Sequence, residues 1–279
     1  LNATLEPIAY GGPDFVIRKH REIPFTIEDL IESGTLTLEL ANDLRRWIRS
    51  GMNIVISGGT ASGKTTLMNT IGNYCIPRDD RILVLENRKE LQIQTEDTKY
   101  FQTREDATRE AGDKDITMKD LIRFCLRKRP DRIIVGEIRG SEAIDMLQAM
   151  NTGHDGSIST GHSNSVKDMF SRLETMVLSE SQLPLMVIRR QISSALDIMI
   201  HVERLRDYSR RVVEICEVVG MRDGEIEVNP LYLFRETGQD AQGRIVGRLE
   251  HTGNRLIRRT KWLKAGGQDE ARLAHLLGA

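Results

Sequence analysis

Apolar residues fall along this chain in two rhythms. Short unbroken runs at 54–56, 82–85 and 133–135 have the pattern of parallel strands buried on both faces. Between them the spacing is helical. Leu67, Met68 and Ile71 follow the first run, and Met118, Leu121, Ile122, Cys125 and Leu126 precede the third at i, i+3, i+4, i+7 and i+8. Strands are therefore expected at 53–57, 82–85 and 132–137, with helices at 64–74, from Thr117 as N-cap, and at 141–151. A fourth strand is expected within 154–164, with His154 and His162 at its ends, followed by helices at 166–176 and 184–196. Strand alternating with helix predicts one parallel sheet with helices on both faces.

The flanks read differently. Residues 15–21 alternate like a single strand, and 25–32 and 38–50 read as helices, the second with Leu40, Leu44, Trp47 and Ile48 on one face and Gly51 ending it. Residues 91–94 alternate like an edge strand, and the polar stretch 95–115 reads as a mobile surface loop. Beyond Asp197, runs at 198–202, 211–219 and 225–228 around Asp223-Gly224 predict antiparallel strands. The expected organisation is a remnant of an N-terminal domain at 1–24, linker helices at 25–52, an α/β domain at 53–235 with a small antiparallel extension, and a basic tail at 236–279.

The first strand feeds Gly58-Gly59-Thr60-Ala61-Ser62-Gly63-Lys64-Thr65-Thr66, which meets the pattern GxxxxGK[ST] between a strand and a helix. That order is what a polyphosphate cradle requires. Successive backbone N–H groups and the open helix N-terminus face an anion, and glycines at 58, 59 and 63 keep side chains out of its way. Lys64 is expected to reach the terminal phosphates, and the Thr65 hydroxyl to ligate Mg²⁺. The nucleotide implied is ATP.

Ligands of open α/β sheets sit at the carboxyl ends of the strands. Those ends carry Glu86, Glu137 and His162. Glu86 is a candidate general base for the attacking water, Glu137 a candidate to organise Mg²⁺ and water, and His162 a candidate to hydrogen-bond the γ-phosphate.

Composition narrows the partners. The 279 residues carry a net charge of −1, which argues against a nucleic-acid binder driven by bulk charge, so no sequence-specific nucleic-acid partner is expected. The longest apolar runs have four residues, far short of the roughly 18 that span a bilayer, and no transmembrane segment is expected. Cys75, Cys125 and Cys216 form no C-x-x-C pair, which fits a reducing compartment.

Glu86 in 81–87, Glu137 and Arg139 in 129–140, and His154 and His162 resemble the secretion-superfamily ATPases of type II secretion, type IV pili and type IV secretion. Together with 147–154, 172–177 and 231–253, they look most like the CpaF-type ATPase of tight-adherence (Flp) pili. The resemblance implies a P-loop, RecA-like fold and a homo-hexameric motor with nucleotide between subunits. It also implies a cytoplasmic place against the inner face of the cytoplasmic membrane, where an inner-membrane pilus or secretion platform protein is the partner. It assigns Glu86 to polarising the attacking water, Glu137 to the variant Walker B role and His162 to sensing nucleotide, with Arg139 among the catalytic residues. Arginines reaching the phosphates from a neighbouring subunit are expected at Arg18 and Arg104. Asn87 departs from the family pattern, which has an acid there, so a weakly hydrolysing, nucleotide-gated assembly scaffold stands as one alternative; within the resemblance, a type IV secretion or conjugation ATPase stands as another.

Overall fold

The computed structural model describes residues 2–17, 19, 23–104 and 115–265. Strands β1 (Asn2–Thr4) and β2 (Asp14–Val16) pair antiparallel as a sheet of their own. The expected strand at 15–21 is thus represented by Asp14–Val16, and Arg18 lies outside the described residues. Helix α1 (Ile27–Glu32) starts on a reciprocal cap in which Thr26 and Asp29 each bond the other's backbone N–H. Helix α2 (Leu38–Arg49) starts on Thr37 and buries Leu40, Leu44, Trp47 and Ile48. It ends at Ser50, with Gly51 at φ 75° supplying the left-handed residue just beyond.

The chain then alternates as its pattern predicts: β3 (Ile54–Gly58), α3 (Lys64–Cys75), β4 (Arg81–Glu86), β5 (Asp97–Gln102), α4 (Met118–Cys125), β6 (Arg132–Ile138), α5 (Glu142–Asn151), β7 (Ile158–His162), α6 (Val166–Leu178) and α7 (Leu185–Ala195). Four more strands and a short helix follow: β8 (Ile198–Arg204), β9 (Arg210–Arg222), β10 (Glu225–Gln239), β11 (Ile245–His251) and α8 (Thr260–Lys264). All nine strands from β3 onward join one sheet in the order β11-β10-β9-β8-β3-β7-β6-β4-β5. Pairing is parallel from β8 through β3 to β5 and antiparallel from β8 to β11.

Successive strand residues point to opposite faces, and the two cores show it. Ile54 and Ile56 pack with α1, α2 and α3, whereas Val55 packs on the other face with α4, α5, α6 and α7. All three cysteines are buried and unpaired.

Three expectations need correction. Residues 91–94 form no strand: Leu91 and Ile93 are fully buried, while the N–H groups of Gln92 and Gln94 donate to the Asn69 and Asn73 side chains of α3. Helix amides take the place of a neighbouring strand, so alternation there reports burial without sheet pairing. The edge strand is β5, inside the stretch expected to be a loop, and its polar character suits an edge. Strand β8 was expected to be antiparallel. It pairs parallel with β3 and antiparallel with β9, and so forms the seam of the mixed sheet.

The expected boundary at 235/236 falls inside β10, and the basic stretch after it is partly folded inward. Arg258 Nη1 donates to the carbonyls of Ser193, Leu196 and Val218 at 2.9, 3.1 and 3.1 Å. Lys261 Nζ stands 2.7 Å from carboxylate oxygens of both Asp155 and Asp197. Glu217, buried in β9, accepts from the N–H groups of Ile257 and Arg258 and from Asn229. Glu217→Ala leaves the Ile257 and Arg258 N–H groups without this acceptor and is expected to cost about 3 kcal/mol, read from the urea unfolding midpoint.

Candidate functional site

The phosphate loop is shaped by where side chains do not fit. A Cβ on Gly58 would lie 2.2 Å from the Val202 carbonyl oxygen and 2.6 Å from Ser62 Oγ, so β3 ends on a residue that only glycine satisfies. Ala61 (φ 59°) and Gly63 (φ 99°) turn the loop through left-handed conformations. Lys64 opens α3, and its Nζ donates to the carbonyls of Gly58 and Gly59, both at 2.8 Å. Burial holds its pKa below the ordinary lysine value, against the attraction of Glu137.

Glu86 ends β4. Its Oε1 accepts from the N–H groups of Glu90 and Leu91 at 2.9 and 2.8 Å, and burial, outweighing those bonds, raises its pKa. Gly136 of β6 makes room, because a Cβ there would come 3.2 Å from Glu86 Cγ. The β6–β7 register shifts between Val135 and Ile138, and Glu137 sits on that irregularity. Arg139 Nε donates to Glu137 Oε2 at 2.7 Å. His162 Nε2 lies 2.7 Å from Glu137 Oε1, and His162 Nδ1 lies 3.3 Å from Lys64 Nζ. An ammonium only donates, so Nδ1 is the acceptor and the imidazole proton sits on Nε2, toward Glu137. Burial first, then Lys64, holds the His162 pKa below its ordinary value.

These groups line one cleft of about 740 Å³ with Thr60 to Thr66. Three predicted strand ends and the loop are therefore together. Arg104 is not among the cleft residues. It pairs through its backbone with Ile116 just past β5, and Arg18 lies outside the described residues. His154 N–H closes the end of α5 on the Ala149 carbonyl, away from the cleft.

Other cleft residues escape a reading by motif: Arg88 follows Asn87, and Arg210 arrives from β9. Arg210 Nε is 3.4 Å from the Ala61 carbonyl, and its stem passes 3.7 Å from the position of a Gly63 Cβ. No local spacing announces Arg210, because a β8–β9 hairpin remote in sequence delivers it. His201 is a second omission. It is buried in β8, with Nδ1 2.8 Å from Ser57 Oγ in the phosphate-loop strand, and burial lowers its pKa.

A histidine whose folded pKa is depressed binds fewer protons folded than unfolded once pH drops below its unfolded value. The stability held above about pH 6.5 is then lost progressively as pH falls toward the folded values. The urea midpoint is expected to fall between pH 7.5 and 5.5, and the fall to shrink in His201→Gln.

Known proteins share the sequence and the fold of this chain in part. The conjugal transfer protein TrbB of Rhizobium radiobacter is 36% identical over 225 residues, covering 80% of this chain and 66% of that protein. VirB11 of the Brucella suis type IV secretion system is 36% identical over 178 residues, 61% of this chain and 49% of that one. The crystal structure of the Brucella suis VirB11 ATPase in complex with sulphate superimposes with a TM-score of 0.56 at 31% identity, covering 71% of this chain and 66% of that one. The pilus retraction motor PilT with bound ADP shares the fold at a TM-score of 0.53 and 19% identity, over 92% of this chain and 62% of that one. The chain thus spans about two thirds of the length of its conjugal-transfer relatives. Because residues 2–252 match the pattern of the type II/IV secretion system proteins and the α/β sheet matches the VirB11 ATPase, this chain belongs to that family.

Proposed function

We propose that this chain is the ATP-hydrolysing subunit of a secretion or pilus-assembly machine, acting as a homo-hexamer on an inner-membrane platform protein from the cytoplasmic side. The observation that carries the reading is the convergence of Lys64, Glu86 and Glu137 on one cleft beside a glycine loop. Two features fit a bound polyphosphate: the loop that turns through left-handed Ala61 and Gly63 into the uncapped start of α3, and the buried Ser62 hydroxyl, which has no hydrogen-bond partner.

Lys64 Nζ would exchange the Gly58 and Gly59 carbonyls for phosphate oxygens. Glu86, with both of its hydrogen bonds on Oε1, would take the proton of the attacking water on Oε2. Thr65 and Glu137 would hold Mg²⁺, which supplies positive charge to the phosphates when bound. His162 would donate to the terminal phosphate, and Arg139 would hold Glu137 in place. Arg18 and Arg104 are proposed to serve a neighbouring subunit's site, where an arginine supplied in trans contributes about 10³–10⁵ in rate.

Asn87 supports a second reading, a scaffold that binds nucleotide and hydrolyses it weakly. Its Oδ1 accepts from Thr103, and the position carries no negative charge toward Mg²⁺. Among the machines, the likeness to TrbB favours conjugation or type IV secretion over a tight-adherence pilus. No described helix is long and apolar enough to cross a membrane.

Native mass measurement with and without a non-hydrolysable ATP analogue tests the assembly. A hexamer strengthened by the analogue is expected, and a monomer under both conditions contradicts the ring. Glu137→Gln is expected to retain nucleotide binding and lose hydrolysis, and unchanged turnover removes its assigned role.

A further inference from the structure

Gly58, where β3 passes into the phosphate loop, has a different neighbour on each side. His162 stands opposite it on β7 and Val202 on β8. The β7 flank carries the chemistry already described, because Glu137 and Glu86 follow on β6 and β4. The other flank is a hairpin. Strand β8 runs on past Val202 to Arg204, which pairs with Arg210 at the start of β9. At about 3.3 Å per residue, the hairpin overshoots the end of β3 and sets Arg210 beside the loop.

The hairpin is held without Arg210. Leu205 N–H donates to the Ser209 carbonyl at 2.8 Å, and Tyr208 turns the chain at φ 66°. Asp207 accepts from the Ser209 N–H at 3.0 Å and from the Ile245 N–H of β11 at 2.7 Å. Arg206 is spent on Glu236, and Arg204 lies over the Tyr208 ring. Arg210 itself is exposed, and its contacts are with the loop: its stem lies 3.7 to 3.8 Å from where a Gly63 Cβ would be, and its Nε is 3.4 Å from the Ala61 carbonyl. Nη1 and Nη2 meet no acceptor among the described residues.

The described residues lining the cleft include four cations, Lys64, Arg88, Arg139 and Arg210. Lys64 is engaged by loop carbonyls and Arg139 by Glu137, while Arg88 stands just past Glu86 on the carboxylate side. Arg210 is the cation of the opposite flank, and the carboxylates lining the cleft, Glu86, Glu90 and Glu137, all belong to the β4 and β6 side. A guanidinium with two unspent nitrogens, fixed over a phosphate loop and facing no acid, is placed for an anion.

We propose that Arg210 is a nucleotide-binding residue whose guanidinium holds the phosphates that ADP retains, on the side of the loop away from the bond that is broken. This rests on the reading of the cleft as a nucleotide site. In that reading the terminal phosphate lies toward Glu86, Glu137 and His162, so a cation on the β8–β9 flank meets the phosphates nearer the nucleoside. The planar fork of an arginine matches two phosphate oxygens, with Nε left on the Ala61 carbonyl while Nη1 and Nη2 donate. Those oxygens are present in substrate and product alike, so the contact binds both to the same extent and does not discriminate between them.

The test measures dissociation constants of ADP and of a non-hydrolysable ATP analogue, both fluorescently labelled, for the full chain with Mg²⁺. Arg210→Gln is expected to weaken both by about tenfold, the size of one charge-assisted hydrogen bond, and to leave their ratio within about twofold. Raising the salt from about 0.05 to 0.5 M screens an exposed cation, so wild-type affinity is expected to fall further than that of the variant. Unchanged affinities overturn the inference. A loss confined to the ATP analogue also overturns it, because that places Arg210 at the terminal phosphate. So does a variant as sensitive to salt as the wild type, which means that Arg210 acts through the loop backbone instead of touching the ligand. A wild-type chain that binds neither nucleotide overturns the reading of the cleft itself, which separates that failure from failure of the role given to Arg210.

Discussion

Glutamine in place of Glu86 is expected to slow phosphate release from ATP by about 10²–10⁴-fold, the usual contribution of a positioned general base, with nucleotide affinity nearly unchanged. The amide keeps the shape of the side chain and still accepts from the Glu90 and Leu91 N–H groups, so the turn after β4 stays in place. What it loses is the capacity to take a proton. Burial raises the Glu86 pKa, and only the ionised carboxylate serves as base. Turnover is therefore expected to rise with pH through a range above the ordinary carboxylate value and then level off. The same shift opposes stability: the folded state holds this proton more tightly than the unfolded one, so stability present at low pH declines as pH rises through that window. Glu86→Gln removes this decline, so its urea midpoint relative to wild type is expected to improve from pH 4.5 upward.

Alanine in place of Lys64 is expected to weaken binding of ATP analogues by about 10²-fold or more, since it removes the desolvated cation of a close charge pair. The fold is expected to survive. Lys64 Nζ bonds two carbonyls, but Ser163 N–H remains on the Gly58 carbonyl and Ser62 N–H on that of Gly59. Burial already depresses the lysine's pKa, so removing it also removes a desolvation cost. A change of about 1 kcal/mol in stability is expected, small beside the loss of affinity. Circular dichroism and nucleotide titration on one sample separate the two effects.

The parts of this site visible in the sequence are those that one strand and its own end determine. Ile54 to Ile56, Ile82 to Leu85 and Ile133 to Val135 are buried on both faces, so their apolar runs are unbroken and their last residues can be placed at one sheet edge. Glu86, Glu137 and His162 follow from that. Residues whose position depends on tertiary pairing are not visible in this way. Strand β5 is polar because it lies at the edge, while Leu91 and Ile93 alternate because helix α3 covers them. His201 enters on β8, which pairs parallel with β3, and Arg210 on β9, one strand further out, and neither pairing leaves a spacing to read. The basic stretch after β11 misleads for a related reason: Arg258 and Lys261 are spent on carbonyls and carboxylates beneath the sheet, and charge alone does not distinguish that from a solvated face.

Steady-state phosphate release from ATP with Mg²⁺, with Lys64→Ala as background, tests most directly the claim that the loop and its two carboxylates form one hydrolytic site. The wild-type chain is expected to release phosphate at a rate that saturates with ATP and disappears in the Lys64 variant. Tight binding of an ATP analogue combined with release no faster than that background would contradict the claim.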